Sequence, residues 1–218
     1  MAVATRARIQ VDIKPFHPYL LRLYGVSEAE FESLADEDLK AEYLDGVMIV
    51  HSPAGFSHED RQAFLLSLLR LYAEVHGIGR VVGGNALFRA GRRQFAPDVM
   101  VLPPHVPIVR QRAEGIPLLV VEVLSESTRD YDLGEKRRLY REVGVGELWL
   151  VDVEGQVVVV ERRGRGYEPE EIHEGWVISE AVPGFRIRAE WLWQEPLPSV
   201  LGCWALMRGS GDAGPAFA

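Results

Sequence analysis

The chain has 218 residues, 47% of them hydrophobic and 26% charged, ordinary proportions for a globular protein able to bury a good-sized core. Its formal net charge of −8 excludes a protein that coats nucleic acid through a general positive field, but not a nuclease whose metal-binding acids lower the balance. No apolar run approaches the length of a membrane span, residues 1–14 lack the apolar stretch of a secretory signal, and the single cysteine, Cys203, excludes an intrachain disulfide or a cysteine-based zinc site, so a cytoplasmic protein with no membrane partner is the expectation.

Of the 24 lysines and arginines only Lys14, Lys40 and Lys136 are lysines, which gives weight to any lysine in a structured site. Residues 27–40 read as a short helix, with Ser27 and Glu30 at capping-box spacing. Residues 41–52 read as a hairpin about Asp45-Gly46. Ser57 with Asp60 repeats the capping spacing and opens a long helix to about His76, where Phe64, Leu65, Leu68, Leu69, Tyr72 and Val75 recur at helical intervals and Gly77 is the stop. Strand-like segments follow at 80–82, 86–89, 96–102 and 118–124, then a polar stretch (Ser125 to Thr128), a helix over 129–143, and strands at 147–153 and 156–162. Shorter β segments cover 167–172, 176–179 and 185–188.

From His58 the order is helix, three strands, helix, strand, which gives an α/β or mixed α+β fold with a mixed central sheet. The strand–helix–strand unit over 118–153 suits a right-handed crossover between parallel strands. One domain is expected over 1–208, with its core at about 56–153 and a flexible, Gly-rich tail at 209–218.

Two acids interrupt apolar strands: Asp98 follows Pro97 in 95–102, and Glu122 lies inside 118–124. Ionised carboxylates are rarely buried without a partner or a metal. The connection 103–117 is too short for a helical crossover, so the two strands pair as an antiparallel hairpin. That connection is centred on residue 110, and so is the pair 98/122, which sets Asp98 opposite Glu122 with Cβ atoms roughly 5 Å apart. Two carboxylates so close repel, and a bound Mg²⁺ or Mn²⁺ reverses the sign. The plainer alternative is that Asp98 caps a turn and Glu122 pairs with an arginine. Asp132, Lys136 and Tyr140 recur at i, i+4 and i+8 on one helical face. They form either a surface ion pair with a packed ring, or a means of pointing the Lys136 ammonium into the acid site.

Glu42-Tyr43-Leu44-Asp45-Gly46, Ser52-Pro53 with His58, Pro97-Asp98-Val99, Val121-Glu122-Val123-Leu124-Ser125, Asp132 with Lys136 and Tyr140, and Gly144 to Trp149 together resemble one branch of the PD-(D/E)XK nuclease superfamily. That branch is the bacterial "putative restriction endonuclease" family, and the resemblance runs from about Glu42 to Arg188. It implies a restriction-endonuclease-like αβββαβ core in which Asp98, Glu122 and the backbone carbonyl of Val123 coordinate Mg²⁺. The superfamily's strand lysine is replaced by Leu124, and Lys136 on the following helix is the natural substitute. Glu42 and His58 also fall at family motif positions. Glu42 either adds a metal carboxylate or is an exposed strand-edge acid; His58 either orients a water or is a structural hydrogen-bonding group. Ser125 supports the turn after Glu122.

The function expected is Mg²⁺- or Mn²⁺-dependent hydrolysis of DNA by a metal-activated water, with Asp98, Glu122 and Lys136 catalytic. Arg89, Arg92 and Arg93 are candidates for gripping the phosphate backbone. The alternative is a catalytically inactive nuclease-fold module for binding or assembly. Trp176, Trp191, Trp193 and Trp204 either give the apolar surface of a homodimer or fill the core around the C-terminal strands.

Overall fold

The computed structural model describes residues 8–11, 19–34, 39–110 and 112–208. Residues 35–38 of the helix expected over 27–40, and the tail expected at 209–218, lie outside them. In chain order the elements are β1 (Arg8–Val11), β2 (Leu20–Tyr24), α1 (Glu28–Leu34), β3 (Ala41–Leu44), β4 (Val47–His51) and α2 (Phe56–His76). Next come β5 (Arg80–Gly83), β6 (Leu87–Ala90), β7 (Arg93–Phe95), β8 (Val99–Leu102), β9 (Ile108–Val109), β10 (Arg112–Glu114) and β11 (Leu119–Val123). The chain then passes through α3 (Arg129–Tyr131), a π-helical stretch (Asp132–Lys136) and α4 (Arg137–Val143). It continues with β12 (Glu147–Asp152), β13 (Val157–Arg162), β14 (Glu170–Ile172), β15 (Trp176–Ile178), β16 (Arg186–Arg188) and α5 (Val200–Arg208). Among the described residues no helix is long and apolar enough to cross a membrane.

Among the described residues the strands form two mixed sheets and one two-stranded antiparallel pair, β15-β16. The central one runs β14-β13-β12-β11-β8-β5, and the other β1-β2-β4-β3-β7-β6-β10-β9. In the central sheet Val99 faces Val121, Met100 faces Val120 and Val101 faces Leu119, an antiparallel register centred on residue 110 as the loop length requires. β11 and β12 are parallel, joined by the helical crossover. Helix α2, strands β5, β8 and β11, the α3–α4 path and β12 therefore form the expected αβββαβ core.

The two faces of β8 and β11 follow the two-residue period of a strand. Val99, Val101, Leu119, Val121 and Val123 face a core shared with Phe64, Leu65, Leu68 and Leu69 of α2. Met100, Leu102 and Val120 face the other core, with Phe88, Phe95, Leu139 and Tyr140. Glu122, two residues from Val120, projects to this second side, beneath α4. Each fully buried aliphatic or aromatic side chain of these layers contributes about 1.5–3 kcal/mol, so the strands that carry the acids are pinned from both faces.

Several local expectations hold. Ser27 and Glu30 exchange bonds, Glu30 N–H to Ser27 Oγ at 3.2 Å and Ser27 N–H to Glu30 Oε2 at 2.7 Å. Asp45 and Gly46 both take positive φ in the β3–β4 turn, and Gly77 closes α2 in the left-handed conformation.

Others are corrected. Ser57 is inside α2, whose N-cap is Gly55 with no side-chain cap, so the Ser57–Asp60 spacing is not a capping box. The segment 86–89 leaves the acid-bearing sheet and joins the other one as β6, because the turn before β7 pairs it there and β10 adds alongside. The connection 103–117 also holds two short strands, β9 and β10. Trp191 and Trp204 are buried in the α2 core, with Trp176 and Trp193 packed against it, so the tryptophans fill the interior rather than forming an apolar surface. Helix α5 supplies part of that packing through Cys203, Trp204 and Met207.

Candidate active site

Asp98 stands just before β8, with its backbone fixed by its neighbours. Its carbonyl accepts the Gly84 N–H at 3.1 Å and the Gln62 side-chain amide at 3.0 Å. Its side chain is equally held. Oδ2 accepts the Val123 N–H at 2.8 Å and lies 3.0 Å from His58 Nε2, while Oδ1 meets the Lys40 ammonium at 2.7 Å. The register brings Glu122 alongside: its Oε2 is 3.4 Å from the Asp98 backbone nitrogen.

Glu122 Oε1 accepts the Tyr140 hydroxyl at 2.6 Å and lies 2.9 Å from the Lys136 ammonium. The same ammonium is 3.2 Å from Glu42 Oε1 and 3.8 Å from Asp132 Oδ1, and donates to the Ala96 carbonyl at 3.4 Å. It sits 5.8 Å from the ring centres of both Tyr131 and Tyr140, where the ring faces favour a cation. Lys136 is 1% exposed, so it is a core lysine and not half of a surface pair. Asp132 and Lys136 bound the π-helical stretch, a widened turn of the kind that concentrates at functional sites.

Glu42 is fully buried, which overturns its reading as an exposed strand-edge acid. Both its oxygens are engaged: Oε1 accepts the Ala96 N–H at 2.9 Å besides facing Lys136, and Oε2 meets Tyr131 OH at 2.7 Å and His51 Nε2 at 3.0 Å. Glu42 therefore anchors Lys136.

Seven of the expected side chains, Asp98, Glu122, Lys136, Glu42, His58, Asp132 and Tyr140, thus form one connected network, joined to β11 by the Val123 N–H. Lys40 belongs to it as well and was missed. The signal in the sequence was the scarcity of lysines. Arg89, Arg92 and Arg93 do not join it: Arg89 pairs with Glu28, and Arg93 with Asp45 and Glu142. Ser125 forms hydroxyl contacts with Ser127 and Thr128 at the turn.

The charges are unequal in consequence. Burial opposes ionisation of Asp98, but Lys40, His58 and Lys136 win and hold its carboxyl well below the usual range. Glu42 is likewise held low against burial by Lys136 and His51. Glu122 goes the other way: burial, reinforced by Asp98 and Asp132, pushes it up to about 8 despite Lys136. Burial also raises Asp132. Burial disfavours the Lys136 ammonium, but the surrounding acids Glu122, Glu42, Asp132 and Asp98 outweigh it and raise the Lys136 pKa.

The network opens on a cavity of about 410 Å³ lined by Lys40, His51, His58, Asn85, Asp98, Glu122, Asp132 and Lys136. Asp132 Oδ1 is buried there without a hydrogen-bond partner. Among the described residues no three His, Cys, Asp or Glu side chains are grouped so as to hold a metal by themselves. Mg²⁺ does not require that: one or two carboxylates and several waters are its usual protein-side shell. The hard oxygens of Asp98 and Glu122, with the unpartnered Asp132 Oδ1 nearby, fit a cation bound in that sparse way and not an all-protein cage.

A mixed sheet in αβββαβ order, with an acid at the head of β8 and another inside β11, defines a nuclease-like fold of the restriction-endonuclease class. The family model described as "Putative restriction endonuclease" (Uma2) matches residues 28–190, and the chain belongs to that family. Among solved structures the chain is similar to a "putative nuclease belonging to DUF820" from Anabaena variabilis, with a TM-score of 0.67 and 19% identity over 76% of this chain and 96% of the other. At that identity the likeness is one of fold. No curated protein matches the chain.

Proposed function

We propose that the protein is a metal-dependent endonuclease that hydrolyses DNA phosphodiester bonds, with Asp98, Glu122 and the Val123 carbonyl holding Mg²⁺ or Mn²⁺. The observation that carries this reading is the buried Lys136 ammonium 2.9 Å from Glu122. The strand position where the superfamily resemblance calls for a lysine is Leu124, and Lys136 brings an ammonium to the acid pair from the next helix instead. The bound cation would polarise the scissile phosphate and acidify a water.

The chain's own residues do the rest. Glu122 would hold the cation as its carboxylate, its proton passing to solvent through the cavity, and the adjacent Lys136 charge favours that ionised form. His58 and the Val123 N–H fix Asp98 Oδ2, and Lys40 meets Oδ1. Lys136, locked by Glu42 and two tyrosine rings, presents fixed positive charge that stabilises negative charge developing on the phosphate; a preorganised donor of this sort accounts for about 10²–10³ in rate.

A second reading, a nuclease-fold module without catalysis, is favoured by one fact: Lys40 on Asp98 and Lys136 on Glu42 and Glu122 already balance the acids. Incubation of supercoiled plasmid with the purified protein and MgCl₂ or MnCl₂ separates the two. Nicking that disappears with a chelator and in Asp98→Asn supports the nuclease. Cleavage that survives both sinks the metal mechanism, and no cleavage of any DNA by the wild type favours the module.

A further inference from the structure

Lys40 has no part in the proposed hydrolysis, yet it touches the central acid. Its ammonium lies 2.7 Å from Asp98 Oδ1, while Oδ2 is filled by His58 and the Val123 N–H. The two lysines of the site are held differently. Lys136 comes from inside the fold with a 1% exposed side chain, whereas Lys40 reaches in along the cavity wall with 23% of its side chain exposed. The Lys40 backbone is fixed, because its carbonyl accepts the His51 N–H at 3.0 Å. The ammonium can therefore leave by rotation of its own side chain, with no shift of β3.

An ammonium in contact with Asp98 Oδ1 and a divalent ion on the same oxygen repel each other and compete for one lone-pair direction. We propose that Lys40 is an internal cation that occupies the metal position on Asp98 in the metal-free protein and is displaced when a divalent ion binds. The inference rests on the metal reading given above and adds a regulatory element to it: Lys40 keeps Asp98 ionised and placed when no metal is present, and it sets the concentration of metal at which the site loads.

Calorimetric titration of MnCl₂ into the full-length, metal-free protein tests this without reference to cleavage. Lys40→Gln removes the competing charge at similar length, and its Mn²⁺ dissociation constant is expected to fall by about tenfold or more, the effect of removing one like charge at contact range. Lys40→Arg keeps the charge and is expected to bind Mn²⁺ within about threefold of wild type. Lys40→Met gives a second neutral variant should Lys40→Gln not fold. Equal or weaker Mn²⁺ binding by a folded neutral variant overturns the exchange and leaves the metal site standing. No Mn²⁺ binding by folded wild-type and neutral variants overturns the metal reading itself.

Discussion

The Lys136 ammonium lies 2.9 Å from the Glu122 carboxyl, and both side chains are buried. Removing that ammonium leaves the ionised, buried Glu42, 3.2 Å from it, without compensation, a loss of about 3–5 kcal/mol. Lys136→Met is expected to destabilise the protein by about that much, by urea denaturation, and to lower plasmid nicking by about 100-fold or more. Adding Glu42→Gln to it removes the ionised acid that the lost ammonium had offset. The double variant is expected to regain part of the stability and none of the activity. A double-mutant cycle measures the coupling, and additive losses would count against a direct pair.

Glu122 also predicts a pH dependence for the metal-free protein. Its pKa rises from 4.5 to about 8, chiefly through burial. Between those values the folded protein keeps a proton that the unfolded chain has released. Stability contributed by this group therefore falls as pH rises through that window, and levels off above it. Asp98 and Glu42 are shifted downwards, so their contributions are lost only in acid, below the window. Glu122→Gln mimics the protonated acid and is expected to gain on wild type steadily from about pH 5 to about pH 8.5. Parallel stability curves for the two proteins over that range would show that Glu122 titrates normally.

The register of β8 against β11 was legible because an antiparallel pair joined by a short loop has one free parameter, and the loop length sets it. The face that holds Asp132, Lys136 and Tyr140 was legible from their spacing, although the widened π turn between Asp132 and Lys136 was not. Lys40 escaped because its bond to Asp98 joins residues 58 apart across two sheets, and no local pattern encodes how sheets stack. The burial of Glu42 escaped for the same reason: alternation along β3 cannot tell solvent from an interior acid network. Helix α5 was a different failure. Val200, Cys203, Trp204 and Met207 recur at i, i+3, i+4 and i+7 behind Ser199, a helical signal that the Gly-rich tail obscured.

Glu42 should behave as an anchor rather than a metal ligand. Tyr131 donates its hydroxyl to Glu42 Oε2 at 2.7 Å, and His51 shares that oxygen. Tyr131→Phe removes one hydrogen bond to a charged group and is expected to cost about 1.5–3 kcal/mol. Because His51 still serves Oε2 and Lys136 still serves Oε1, Mn²⁺ affinity measured by calorimetry is expected to stay within about twofold of wild type. A large loss of affinity in this variant would place Glu42 among the ligands after all.

The tightest constraint on Asp98 comes from a glycine. A Cβ built on Gly83 would lie 2.2 Å from the Asp98 carbonyl oxygen, a backbone atom that cannot step aside alone. That carbonyl is already held by the Gly84 N–H and by Gln62, and Gly83 faces Val99 in the β5–β8 pairing. Gly83→Ala therefore forces β5 and β8 apart at the residue that carries the acid. The cost is expected to be about 1–3 kcal/mol, that of overpacking a filled interior. The displacement is felt first at Asp98, so Mn²⁺ affinity should drop by about tenfold or more even at temperatures where the variant is fully folded, since a ligand oxygen shifted by a fraction of an ångström no longer matches its partners. Gln62→Ala offers the matched control: it frees one hydrogen bond to the same carbonyl without adding bulk, and is expected to cost about 1 kcal/mol while moving Mn²⁺ affinity far less than Gly83→Ala does. Equal effects of the two variants on affinity would mean that the close approach of β5 to Asp98 has no part in holding the site.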